Sequence, residues 1–169
     1  MNVEQFWRLI SESRQDADPT SPDGNMDRQI ARLTELLTAL PAQEVVDFDR
    51  HFSDRFIEAY NWDLWAAAYI IEGGCSDDGF MDFRSWLISM GQPAFTESLR
   101  DVESLVIYAS DPSVEVCSFE EFQYVAGNVY GKQIDHAMTY PKDPTGVPWD
   151  EDSDELVTRF PKLWARFGE

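Results

Sequence analysis

At 169 residues the chain is about one domain long, enough to enclose a substantial core. A hydrophobic content of 43%, with 14% aromatic residues, excludes a disordered polypeptide. Asp and Glu number 32 against 13 Lys and Arg, and the net charge of −19 argues against nucleic acid or an anionic membrane as partner and for a basic one.

Val3, Phe6, Trp7 and Ile10 recur at helical spacing between Glu4, Arg8 and Glu12, so the chain opens with an amphipathic helix. DADPTSPDGN, residues 16–25, combines Asp, Pro, Ser and Gly and predicts an exposed loop. Met26, Ile30, Leu33, Leu36, Leu37 and Leu40 mark a second helix that stops at Pro41, itself suited to open the next. The third covers Ala42 to Tyr60, with Val45, Phe48, Phe52, Phe56 and Ala59 as its buried stripe. His51 stands four residues from both Asp47 and Arg55, a charge ladder that reads as surface or rim.

Residues 61–91 carry the most distinctive pattern. Three consecutive alanines, Ala66 to Ala68, favour a helix over Asp63–Glu72, apolar around much of its circumference through Leu64, Ile71, Trp62, Trp65 and Tyr69. Gly73 and Gly74 end it. Ser76, Asp77 and Asp78 then read as a helix start before Phe80, Phe83, Trp86, Leu87 and Met90. So short a connection predicts a helical hairpin.

Ala94–Leu99 and Val102–Tyr108 predict two short helices, Ser110–Ser113 a turn, and the alternation of Val114 and Val116 allows a short strand. Ser118 and Glu121 form a capping-box pattern opening a helix that Gly127 and Gly131 weaken or leave open to close approach. Residues 139–155, with three prolines and an acidic run, should extend over the surface, pinned by Tyr140 and Trp149. A last helix bears Leu156, Phe160, Leu163 and Phe167, interrupted by Pro161. The fold expected is all-α: a single domain of seven or eight helices around the central hairpin.

Cys75 and Cys117 lack CxxC or zinc spacing. No basic and apolar leader precedes the first helix, and no run is long enough to span a bilayer, so a cytoplasmic protein with reduced thiols is expected.

FWRLI, LPAQEVVDFDRHF, CSFEEFQYVAGNVYG, the Pro-Trp-Asp-Glu-Asp near the end and above all DLWAAAYIIEGGCSDDGFMDFRSWLISMG resemble an uncharacterised bacterial family of unknown function. The resemblance spans essentially the whole chain and implies no activity, cofactor or catalytic residue. It implies soluble bacterial proteins, some in settings of regulation or toxin neutralisation.

Four constellations bear on chemistry. GGCSDDG has glycines but no lysine, and its aspartates repel phosphate, so it is not a phosphate loop. Cys75 lies near a helix start that would favour a thiolate, but Asp77 and Asp78 oppose a second negative charge. Asp78 and Asp82 share a helical face near Asp77 and Glu72, yet they lack EF-hand spacing, and helix capping accounts for them without a metal. Asp63, Trp65, Tyr69, Arg84 and Trp86 could meet between the central helices, with an Asp63–Arg84 pair as a structural clasp or as the anchor of a small-ligand site. The binding residues expected are these five with Cys75, Asp77 and Asp78; no catalytic residue, metal or cofactor is assigned. The leading functional expectation is a non-enzymatic acidic interaction or regulatory protein, neutralising a basic protein partner. The alternatives are a metal- or thiol-dependent enzyme using the Cys75–Asp78 turn and a small-ligand sensor at the aromatic hairpin.

Overall fold

The computed structural model describes residues 1–152 and 154–169. Ser153, inside the expected acidic wrap of 139–155, lies outside the described residues. Ten α-helices form among the described residues: α1 (Val3–Ser13), α2 (Asn25–Thr38), α3 (Ala42–Glu58), α4 (Trp62–Glu72), α5 (Asp77–Ser89), α6 (Gln92–Arg100), α7 (Leu105–Ala109), α8 (Val125–Tyr130), α9 (Glu155–Arg159) and α10 (Pro161–Phe167). Short 3-10 helices at Val102–Ser104 and Glu120–Tyr124 lead into α7 and α8. No strand forms among the described residues; Asn61 and Thr145 make an isolated parallel bridge, and Val116 is exposed. The fold is all-α. No helix among the described residues is long and apolar enough to cross a membrane.

α5 is the hub. Phe80, Phe83, Trp86, Leu87 and Ile88 bury around its circumference together with Arg84, Ser85 and Ser89. It is enclosed by α3, α6 and the 3-10 helix Glu120–Tyr124, whereas α4 packs chiefly on α10. The two central helices do meet, through parallel stacking of Trp65 on Phe80 at 5.1 Å and 10°. All of these elements share one hydrophobic core.

The count of ten exceeds the expected seven or eight for local reasons. Proline has no N–H and cannot continue a helix, so Pro161 splits the last pattern into α9 and α10. The expected helix after Ser118 divides into a 3-10 turn and α8, and Ser118 forms no capping box, because tertiary bonds hold the backbone there: Phe119 N–H donates to the Asp82 carbonyl (3.0 Å) and Gln123 donates to the Asp82 carboxylate (3.0 Å). The loop after α1 is organised by a residue expected to be exposed. Asn25 is buried as the first residue of α2, and its amide donates to the carbonyls of Asp18, Ser21 and Ser113.

The chain after α8 crosses the surface as an extended strap, as expected. Trp149 pins it, donating from Nε1 to the Trp62 carbonyl (2.9 Å), and Thr145 bonds the backbone of Tyr60 and Trp62. Tyr140 is largely exposed, 58% of its surface open to solvent. Phe80 joins most of the layers, buried against Trp65, Tyr60 and Phe83. Phe80→Ala should therefore cost about 3–5 kcal/mol in urea unfolding; a loss below 1 kcal/mol would remove Phe80 from this role.

Candidate functional site

The residues expected to form one site fall into separate places. Asp63 lies exposed in the first turn of α4, 2.8 Å from Arg159 of α9. Arg84 is buried on the α5 face turned to α3, so the expected Asp63–Arg84 pair does not form. Trp86 is core, packed on Phe83 at 5.3 Å. Trp65, Tyr69 and Cys75 line a shallow depression of about 370 Å³ with Trp62, Trp149 and the acidic residues Asp150 and Glu151. Trp149 fills much of the aromatic surface there, 5.1 Å from Tyr69 and edge-on to Trp62.

The Cys75–Asp78 turn is built by capping. Gly73 ends α4 in the left-handed conformation at φ 70, and the Cys75 carbonyl accepts from Trp65 Nε1 (3.0 Å). Ser76, not either aspartate, caps α5, its hydroxyl accepting from Gly79 N–H at 3.2 Å. Asp77 and Asp78 are exposed in the first turn, where their charge suits the helix dipole. Burial and the neighbouring Glu72 push the Cys75 thiol up to about 12, the wrong direction for a thiolate nucleophile. Neither histidine approaches it: His51 bonds the Met1 carbonyl and His136 bonds Asp49. Among the described residues no three His, Cys, Asp or Glu side chains converge as a metal-ligand set would.

A second concavity lies on the other side of α5. A cleft of about 930 Å³ opens between α3, α5, α8 and the strap. Phe52 and Phe56 of α3, with Tyr60 just past its end, form one wall, Arg84 of α5 the floor with Met81 at the exposed rim, and Gln123, Gly127 and Asn128 the opposite wall. Ile134, Tyr140 and Pro141 of the strap roof it, and Asp49, Asp77 and Lys132 also line it. Gly131, at φ 89, turns the chain from α8 into the strap, a conformation an L side chain resists. The strap is held over α3 by His136 Nε2 on Asp49 Oδ2 at 2.7 Å.

Arg84 is 6% exposed. Its Nη1 donates to the Phe56 carbonyl (2.8 Å) and its Nε more weakly to the Phe80 carbonyl (3.3 Å). Its guanidinium lies over the Phe56 ring at 3.9 Å and near those of Tyr60 and Phe80, each at 4.8 Å. Desolvation pulls its pKa down to about 10, so it stays charged at neutral pH.

Of the expected site residues, only Arg84 and Asp77 reach this cleft. Phe52 and Phe56 read in the sequence as core stripe, nothing local marked Gln123 or Asn128, and Tyr140 read only as a pin of the surface segment. The signal available was Gly127 with Gly131, small residues where something was expected to approach closely.

The chain belongs to the family described as a protein of unknown function, DUF4240, whose sequence model matches residues 1–132. That stretch runs from α1 through α8 and includes Arg84 and both walls of the cleft; the roof at 134–141 and the Pro-Trp-Asp-Glu-Asp motif lie beyond it. No curated protein and no solved structure matches the chain.

Two measurements test the Cys75 turn. Ser76→Ala should cost about 1 kcal/mol through the lost cap, and neutralising Asp77 or Asp78 to Asn less, about 0.3–1 kcal/mol each; equal losses at all three positions would contradict Ser76 as the cap. Glu72 is the second case. Partial desolvation, with Asp82 nearby, raises its carboxyl from 4.5 to about 7, against a lowering contact from Cys75. The unfolded chain gives up this proton near 4.5 while the folded one holds it to about 7, so Glu72 weakens the fold as pH rises through that window and fully above it. Glu72→Gln should melt like wild type below pH 4.5 and about 1–2 °C higher at pH 8, solvent around the exposed residue screening the effect. A variant that loses its stability with rising pH as wild type does would contradict the raised value.

Proposed function

We propose that this protein binds a small molecule in the cleft between α3 and α5 and acts as a ligand-responsive module rather than a catalyst. The observation that carries this is the cleft itself: about 930 Å³, aromatic on its α3 side, polar along Gln123, Asn128 and Lys132, with a buried cation at its floor. Ligand sites are concavities of this kind, mostly apolar with a small number of orienting polar groups. The small-ligand reading moves from the α4–α5 face to the α3–α5 face, since Trp149 occupies the former. A thiol mechanism at Cys75 is disfavoured by the direction of its pKa. The two free thiols, Cys75 and Cys117, suit a reducing bacterial cytoplasm.

The charge favours a second reading, docking of a basic protein partner. Several of the few basic side chains are engaged internally: Arg84 is buried, Arg159 binds Asp63 and Glu155, and Arg28 binds Asn25. The net charge of −19 is carried largely by exposed groups, and such binding would weaken steeply with salt.

A fragment screen read by protein NMR tests the first reading. Aromatic fragments should shift signals of Phe56, Tyr60 and Met81, and saturation near 100 Kd should add about 2.7 kcal/mol of stability, or about 5–10 °C in Tm. Met81→Trp, at the partly exposed rim, should fill the cleft and abolish the response. A screen in which binders perturb only the Trp62–Trp149 face would refute this placement.

A further inference from the structure

We infer that the occupant of the α3–α5 cleft is a monocarboxylate on a flat, apolar body, anchored by Arg84. This rests on the proposed cleft-binding function and supplies the chemistry of its ligand.

A guanidinium taken out of water costs several kcal/mol unless a counter-charge or a full set of acceptors compensates it. Arg84 has neither. The chain carries 32 carboxylates, yet among the described residues none pairs with Arg84, and its hydrogen bonds end on two backbone carbonyls. Three aromatic rings supply most of its remaining surroundings. Its second terminal nitrogen, Nη2, has no acceptor among the described residues and is not among the sealed polar atoms, so it opens on the cleft that Arg84 lines. The two carbonyl bonds fix the plane of the fork. What they leave free is one edge of a charged donor group, preorganised at the bottom of a concavity.

The other charges of the cleft narrow the ligand. Asp49 is occupied by His136, and Asp77 stands exposed at the rim with Lys132 also lining the cleft. One carboxylate matches the one uncompensated buried cation and gains charge-assisted hydrogen bonds. A dianion such as phosphate would bring a second negative charge against Asp77 and Asp49 with no second buried cation to meet it. A neutral ligand would leave the guanidinium without its counter-charge. Phe52, Phe56 and Tyr60 give the α3 side of the cleft an aromatic lining, which favours a ligand with a flat apolar body.

The test is isothermal titration of the wild-type protein with matched acid and amide pairs, benzoate with benzamide and phenylacetate with phenylacetamide, and with inorganic phosphate. The acids should bind at least about tenfold more tightly than their amides, and phosphate should not bind. Arg84→Gln should erase the acid preference, and Met81→Trp should weaken acid and amide alike. Acids and amides binding equally, or phosphate binding more tightly than the acids, would overturn the monocarboxylate inference and leave cleft binding standing. Absence of binding by both members of every pair would overturn the inference and the cleft reading together. If Arg84→Gln does not fold, the wild-type difference between acid and amide decides alone.

Discussion

Much of this structure turns on a positive charge buried where a hydrophobic residue would be simpler. Arg84 sits between α3 and α5, and its bond to the Phe56 carbonyl joins those helices near the end of α3. That carbonyl lies in the last turn of α3, where backbone oxygens have no partner within the helix and a cation suits the dipole. The arginine thus satisfies a helix end and three aromatic faces at once. A leucine would bury as well but leave the carbonyl without its donor. The cost is an uncompensated charge, which a fold can carry where the guanidinium keeps one edge toward a wet cleft rather than closing wholly into the core.

The helical framework was legible because periodicity and punctuation reinforce each other. The stripe Val45, Phe48, Phe52, Phe56 and the alanines Ala66 to Ala68 are buried as the spacing requires. Ser76 and the glycines after Glu72 stand where caps were expected. What local reading could not supply was capping from afar. Glu115 accepts from the backbone of Gly24 and Met26 at the start of α2, and Glu103 from Lys162 and Leu163 at the start of α10. These glutamates lie about 90 and 60 residues from the ends they satisfy, so in sequence they look like ordinary surface charge. The same long-range bonding, from Asp82, broke the expected helix after Ser118.

The site was harder to read for a related reason. Asp63 and Arg84 were matched by chemistry, and opposite charges near two facing aromatic helices make a reasonable pair. Helix rotation decided otherwise. Arg84 lies one turn beyond Phe80 and bonds the Phe56 carbonyl of α3, while Phe80 stacks on Trp65 of α4 and Asp63 points to α9. Phe52 and Phe56 illustrate a second limit: a buried aromatic stripe looks identical whether it fills a core or walls a concavity. The difference is made by Gln123, Asn128 and the strap, which arrive from distant sequence.

Floor and roof of the cleft are held by different forces. The floor belongs to α3 and α5 and shares the main core, so moving it means unpacking Phe56 and Phe80. The roof hangs on the His136–Asp49 contact and, further along, on Thr145 and Trp149. Between them Ala137 is held at φ 48, a left-handed conformation costing a residue with a Cβ on the order of 1–2 kcal/mol. An element with few buried apolar contacts and a strained residue opens at far lower cost than the core beneath it. Opening around the cleft should therefore begin at the strap, while Arg84 and its aromatic collar stay in register with the core beneath.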